Sequence, residues 1–166
     1  MDNNENSEEI NLYDSENYHI ESFDDEIRID KICKALLQDF HKHLLNEKKL
    51  PPLKAGMMAS GADFYLRDFM IDQQRANIFD VSADLVRRFG GNWYIITTLE
   101  PNMTELKDIL SGVSSFYAFC VEKKVVDEET AAAVAEACQQ HDFYEQRIES
   151  FHDISGDGFI AWNKVC

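Results

Sequence analysis

The longest periodic run of apolar positions in the chain covers residues 102–126. Its apolar residues recur at steps of three and four, the spacing that places side chains on one face of an α-helix. Asn102 stands before the run with Glu105 three positions later, which predicts an N-cap and its reciprocal partner. Because two aromatic rings are too much apolar surface to leave in water, we predict a central helix wrapped by the others. Its inward residues are Leu106, Ile109, Leu110, Val113, Phe116, Tyr117, Cys120 and Val121.

Three elements are predicted in the first half of the chain. A helix begins near Ile29 and ends at Asn46, since the KKLPP stretch that follows contains two prolines. Residues 53–60 are small and Met-rich, which indicates a short helix or a packed loop. Residues 62–75 again show helical spacing of apolar side chains.

The segment before the central helix combines helix, stop and strand-like residues. Ser82 is the predicted N-cap of a helix over 83–89, and Gly90 and Gly91 are its predicted stop. Residues 93–99, WYIITTL, favour a strand but have no obvious pairing partner. We therefore predict an extended, buried connection there.

A last helix is predicted over residues 127–151, with Asp127 as its N-cap and packing on the central helix. The expected fold is all-α, a single bundle of about five helices that occupies residues 28–166.

Residues 1–27 are acidic and poor in apolar side chains, so ordering them would cost more entropy than their contacts return. We therefore predict that residues 1–27 form a flexible, acidic tail that keeps the protein soluble. The alternative is an interaction segment whose Tyr13, Tyr18 and Phe23 dock on a basic partner.

The net charge of the chain limits the classes of partner that it can bind. A formal net charge of -15 repels phosphate backbones and anionic membranes, so independent binding to nucleic acid is disfavoured. The sequence has no apolar run of membrane-spanning length, and its acidic beginning differs from a secretory signal peptide. We expect a cytoplasmic protein without a membrane partner.

The four cysteines show no CxxC spacing, and two of them fall within apolar helical patterns. This arrangement favours buried, reduced thiols over a disulfide framework or a zinc site. Their positions are Cys33, Cys120, Cys138 and Cys166.

Three stretches together resemble the SAM-like, core-binding domain of phage integrases and other tyrosine recombinases. They are FYLRDF at 64–69, DVSADLVRRF at 80–89 and LSGVSSFYAFCVEKKVV at 110–126, and the resemblance spans about residues 62–126. It implies a small helical bundle of the kind that clamps DNA. Recombination also needs a catalytic domain with a tyrosine nucleophile and paired arginines, which this sequence does not supply, so recombinase activity is excluded. The central helix carries only Lys107 as a base between residues 102 and 121.

The C-terminal stretch HDISGDGFIAWNKVC resembles the start of an EF-hand loop. Asp153, Ser155 and Asp157 would supply calcium ligands at positions one, three and five. Position twelve, where a carboxylate closes the coordination shell, is Lys164. The alternative is a polar, glycine-containing turn that folds Phe159, Ile160 and Trp162 back onto the bundle.

The clustered bases are candidate contacts to an anionic partner. Arg87 and Arg88 form one pair, and Lys123 and Lys124 form the other; the alternative is that both are solvated helix ends.

No motif for catalysis or for a cofactor is present: there is no GxSxG, Walker loop, HExxH or glycine-rich dinucleotide turn. His41 and His43 are two positions apart, so on a helix they point in different directions and are expected to face solvent.

The sequence therefore predicts a non-catalytic module that binds another protein through a helical groove or through the tail. One alternative is a nucleic-acid-associated protein that keeps a recombinase-like fold, and another is weak calcium binding or a small enzyme with an unrecognised site.

Overall fold

The computed structural model of the protein describes residues 9–166, and within that range every regular element is helical. This confirms the all-α class, although the helices outnumber the five or so predicted. A 3₁₀ turn covers Ser15–Tyr18. The α-helices are α1 (Phe23–Asn46), α2 (Pro52–Asp63), α3 (Ala83–Arg88), α4 (Tyr94–Thr97), α5 (Met103–Glu122), α6 (Glu128–Cys138), α7 (His141–His152) and α8 (Phe159–Lys164). Two π-helical segments, Phe64–Gln73 and Phe89–Trp93, continue α2 and α3.

The predicted central helix is α5, which packs against α2, α6 and α7. Its inward face is buried, and the Asn102 side chain accepts a hydrogen bond from the Glu105 backbone N–H at 2.8 Å, as predicted. The reciprocal bond from Glu105 is not formed. The Asn102 N–H donates instead to the Tyr94 hydroxyl at 3.2 Å, so a residue of the preceding helix completes the cap.

The N-terminal segment differs from the predicted flexible tail. Helix α1 begins at Phe23 behind a capping box in which Ser22 and Asp25 each accept from the other's backbone N–H. Tyr18 is fully buried, its ring 4.8 Å from that of Phe79, and its hydroxyl donates to the Leu12 carbonyl at 2.8 Å. The segment is ordered because a buried aromatic ring offsets the entropy cost of a short polar stretch. The first eight residues of the predicted tail lie outside the described residues.

The predicted stop and extended connection before α5 are wrong. Gly90 and Gly91 lie inside the π-helical Phe89–Trp93 segment, and the chain stays helical through α4. A Cβ at Gly90 would lie 2.8 Å from a ring carbon of Tyr144, and one at Gly91 would lie 2.9 Å from a ring carbon of Phe143. These glycines make room for α7 against the backbone.

The predicted last helix is two helices. It breaks between α6 and α7, where the His141 N–H donates to the Gln139 carbonyl at 2.8 Å. The Tyr144 hydroxyl donates to the Ala137 carbonyl at 2.8 Å, which satisfies an acceptor at the end of α6. Periodicity alone did not reveal this break, because the apolar spacing continues across it.

Candidate functional site

A wide cleft in the described part of the chain lies between α2 with its π-helical continuation and the first turns of α5. We call it the α2–α5 cleft; its volume is about 850 Å³ and it is open to solvent. Its lining combines exposed apolar side chains with four carboxylates. The lining residues are Pro52, Leu53, Gly56, Met57, Ser60, Gly61, Asp63, Phe64, Asp68, Glu105, Asp108 and Ile109.

Glycines fix the base of this cleft by letting α2 and α5 approach at backbone distance. A Cβ placed on Gly61 would lie 2.8 Å from the Ile109 Cα, and one on Gly112 would lie 2.2 Å from the Met58 carbonyl oxygen. Any side chain at either position would push the helices apart. The two walls of the cleft are therefore held by main-chain contact.

The π-helical segment Phe64–Gln73 shapes one wall. Its hydrogen bonds run between residues five apart, as in the 2.8 Å bond from the Gln74 N–H to the Phe69 carbonyl. Residues five apart thus come to one face, and both Phe64 and Phe69 contact Phe89, with ring centroids 5.8 and 5.4 Å apart. Phe69 is buried and Phe64 is half-buried, and both rings pack against the same ring of Phe89.

The same geometry sets the position of two carboxylates, Asp63 and Asp68, which are also five apart and both line the cleft. Arg67 binds Asp63 at 3.1 Å and Asp30 at 2.8 Å. The pKa of Asp68 is raised by partial burial and by the negative charge of Asp63, while Arg67 lowers it. Across the cleft, α5 contributes Glu105.

The apolar part of the lining reaches solvent. Leu53 is 79% exposed and Met57 is 43% exposed, and they stand one helical turn apart on α2. Phe64 and Ile109 lie deeper, the first half-buried and the second buried. Apolar side chains bordered by carboxylates are typical of a surface that covers an amphipathic partner.

The predicted basic pairs occupy separate places. Arg87 pairs with Asp84, while Arg88 is exposed at the end of α3. Lys123 lies 5.3 Å from the ring centroid of Tyr13, and Lys124 is exposed after α5. No hydrogen bond or salt bridge within residues 9–166 joins one pair to the other.

The C-terminal turn departs from an EF-hand loop. Asp153, Ser155 and Asp157 are exposed, and Gly156 adopts a φ of 60°. Helix α8 starts at Phe159, so the predicted closing position, Lys164, is carried on a helix. In the described part of the chain, no group of three or more His, Cys, Asp or Glu side chains could hold a metal ion.

Only one of the three apolar residues expected to fold back from this turn does so. Trp162 is buried, and its Nε1–H donates to the Arg147 carbonyl at 3.2 Å. Phe159 and Ile160 are 41% and 63% exposed.

Trp162 packs on a buried cation that the sequence did not indicate. The Arg147 guanidinium carbon lies 3.8 Å from the centroid of the Trp162 ring, and its Nε–H donates to the Gly91 carbonyl at 2.7 Å. Burial lowers the pKa of Arg147. The residue ties α7 to the π-helical Phe89–Trp93 segment and to α8, a structural role that depends on partners distant in sequence.

His43 does not face solvent as predicted. Its side chain is 11% exposed, its Nε2 lies 3.2 Å from the Glu122 carboxylate, and its ring packs 5.0 Å from that of Phe119. The expectation failed because Glu122 and Phe119 come from α5, more than seventy residues later.

The cysteines are free thiols, as expected from their spacing. Cys33, Cys120 and Cys138 are buried, and burial raises the pKa of each thiol. Cys166 is partly exposed, and its thiol donates to the Arg87 carbonyl at 3.2 Å.

No helix within residues 9–166 is both long enough and apolar enough to cross a membrane. Comparison of the chain with protein-family models, with curated proteins and with solved structures found no match. The resemblance to recombinase core-binding domains stays a prediction from the residues at 62–126.

Proposed function

We propose that the protein is a non-catalytic interaction module that binds a segment of another protein in the α2–α5 cleft. The observation that carries this proposal is the exposure of Leu53 and Met57 beside an open cleft of about 850 Å³. Removing such side chains from water is the main favourable term in most protein association. Their position next to polar groups matches the mixed lining of protein-binding surfaces.

Two further features support a binding role for this face. The α2 and α5 backbones meet at Gly61 and Gly112, so the cleft walls are already in place before a partner arrives. A preformed surface loses little conformational freedom on binding, which favours affinity. Binding of the partner therefore does not require the cleft to rearrange.

The nucleic-acid alternative receives less support from this site. The cleft carries Asp63, Asp68, Glu105 and Asp108, and these carboxylates would repel a phosphate backbone. The basic pairs at the ends of α3 and α5 are not joined to each other, so neither offers an extended track for phosphates.

Site-specific crosslinking tests the proposal. A photoreactive amino acid at Met57 should capture a partner protein, whereas the same group at the exposed Ile160 on α8 serves as the matched control. The captured protein would then be purified and its affinity measured by calorimetry. Leu53→Ser combined with Met57→Ser should weaken binding by about tenfold or more, the usual effect of truncating anchor residues.

Ile160→Ser is the control for that measurement, because Ile160 is also apolar and exposed but lies outside the cleft. If the purified partner binds the Leu53 and Met57 variant as tightly as the unchanged protein, the cleft is not the binding surface.

A further inference from the structure

The carboxylates of the α2–α5 cleft are placed on both of its walls. Asp63 and Asp68 come from α2 and its π-helical continuation, and Glu105 and Asp108 come from the first two turns of α5. The same two walls carry the apolar part of the lining, with Leu53 and Met57 on α2 and Ile109 on α5. A partner that fills the cleft must therefore cover apolar side chains while it faces negative charge from two directions.

Most of that charge has no paired base in the described part of the chain. Arg67 forms a salt bridge with Asp63 and a second one with Asp30 on α1. Within residues 9–166, Asp68, Glu105 and Asp108 form no salt bridge. Partial burial and the negative charge of Asp63 raise the pKa of Asp68, and the positive charge of Arg67 only partly opposes this.

The apolar positions suit a helix lying in the cleft. Leu53 and Met57 are four residues apart, so they present neighbouring side chains along one face of α2. Phe64 and Ile109 continue the apolar lining deeper in the cleft. A groove between two helices with such a lining is the surface on which an amphipathic helix lays its apolar face.

Charge complementarity then decides which kind of partner the cleft would bind. A second copy of this chain would bring another net charge of -15, and a nucleic acid would bring phosphates. Both are repelled by the four carboxylates. A helix with Lys or Arg beside its apolar stripe is attracted by them.

Resting on the proposed function, we infer that the α2–α5 cleft binds a cationic amphipathic helix of a partner protein. Its apolar face covers Leu53 and Met57, and its basic flanks face Asp68 on one wall and Glu105 on the other.

Synthetic peptides test this inference on the full chain. The probe is a helical peptide of about 18 residues with Leu at positions i, i+3, i+4 and i+7 and Lys beside them. A second peptide carries Glu in place of every Lys, and a third keeps the composition of the probe but scrambles its order so that no apolar face forms. Fluorescence anisotropy gives the affinities, and NMR chemical shifts of the protein locate the binding face.

We expect the Lys peptide to bind with shifts centred on Leu53, Met57 and Glu105, and the other two peptides to bind at least tenfold more weakly. Asp68→Asn combined with Glu105→Gln should weaken binding about fivefold, and 0.5 M salt should remove most of that difference. Asp153→Asn combined with Asp157→Asn removes the same charge at exposed positions outside the cleft and should leave the affinity unchanged.

Three results would overturn the inference. Equal weakening by the Asp153 and Asp157 control would mean general attraction to an acidic protein, and shifts away from the cleft would mean a different surface. Tight binding of the Glu peptide, lost with Leu53→Ser and Met57→Ser, would leave the proposed function standing but reject a cationic partner. If the crosslinked partner binds the Leu53→Ser and Met57→Ser variant as tightly as the unchanged protein, the proposed function itself is rejected.

Discussion

Two glycines of the same helix pair differ in what surrounds them. A Cβ on Gly112 would lie 2.2 Å from the Met58 carbonyl oxygen, whereas a Cβ on Gly56 would meet no heavy atom within 4 Å. The first contact is with backbone, which cannot rotate away as a side chain does. Substitution by alanine is therefore expected to have opposite effects on stability at these two positions.

Gly112→Ala is expected to lower the free energy of unfolding by about 1–3 kcal/mol, because the added methyl group forces α2 and α5 apart. Gly56→Ala, the matched control, should be neutral or raise it by up to about 1 kcal/mol, since alanine is the better helix former. Urea unfolding of both variants checks the pair. A Gly112→Ala protein as stable as the original would show that α5 is not held against the α2 backbone.

Asp68 and Asp127 are predicted to have opposite effects on stability. The pKa of Asp68 is raised in the folded state, mainly by partial burial, so its ionised form disfavours folding, and this cost is present at neutral pH and fades as pH falls through that pKa. The pKa of Asp127 is lowered by the backbone N–H of Thr130, so its ionised form favours folding until pH falls through that lowered pKa.

Asp68→Asn should therefore raise the midpoint of thermal unfolding at pH 7 by about 1 °C, a small effect because the group is exposed. Asp127→Ala should lower that midpoint, and both differences should shrink as the pH approaches the acid range. Calorimetry at several pH values measures both variants. A midpoint for Asp68→Asn at pH 7 below that of the unchanged protein would show that this carboxylate stabilises the fold, which contradicts the prediction.

Sequence patterns identified the residues whose roles are local. The caps at Ser82, Asn102 and Asp127 were predicted because a capping side chain acts on a backbone N–H only three residues away. The roles of Gly90 and His43 were missed, since each is decided by a side chain that arrives from a distant helix.

At the scale of elements, the segment before α1 is anchored by one ring. Tyr18 is fully buried against Phe79, and Asn77 holds the same segment by donating to the Ser15 carbonyl at 2.9 Å. Both anchoring residues come from the connection between the π-helical Phe64–Gln73 segment and α3. These contacts join the segment before α1 to a connection that lies about sixty residues later in the sequence.

Tyr18→Ala should destabilise the protein by about 3 kcal/mol, the scale of emptying an aromatic site in a core. Removal of residues 1–22 should lower the thermal midpoint by more than about 5 °C. Phe23→Ala is the control, because Phe23 is 70% exposed, and it should change the stability by less than about 0.5 kcal/mol. Unchanged unfolding after the truncation would restore the prediction of a dispensable tail.

Periodicity predicted the existence of the main helices but not their form. The spacing in residues 62–75 indicated a helix, yet apolar spacing matched to 3.6 residues per turn cannot distinguish an α-helix from a π-helix. Phe64 and Phe69 would have been the signal, being five apart and aromatic. The pair of cleft carboxylates at Asp63 and Asp68, which are also five apart, went unnoticed for the same reason.

On the scale of the whole molecule, the net charge of -15 and the separate positions of the basic pairs work against binding to DNA. A protein binds a duplex by neutralising phosphates, and this one must first overcome repulsion. The all-α class and the buried thiols followed from composition and apolar spacing. The cleft did not, because it is formed by side chains from α2 and α5 that only the fold brings together.

We expect no measurable binding to duplex DNA at about 0.15 M salt, where charges are screened over about 8 Å. Gel-shift and anisotropy assays of the full chain check this expectation. Micromolar binding that disappears when Lys123 and Lys124 are changed to Glu would contradict it and favour the nucleic-acid alternative.

The π-helical Phe64–Gln73 segment makes the cleft sensitive to chain length as well as to composition. A π-turn holds more residues than an α-turn, so a deletion of one residue would let this segment rewind as an ordinary α-helix. If the deleted residue lay after Asp68, Asp63 and Asp68 would still be five residues apart, a spacing that an α-helix places on different faces, although neither had been substituted. A deletion after Asp68 is thus a change by which a relative of this protein would separate these two carboxylates while keeping its fold.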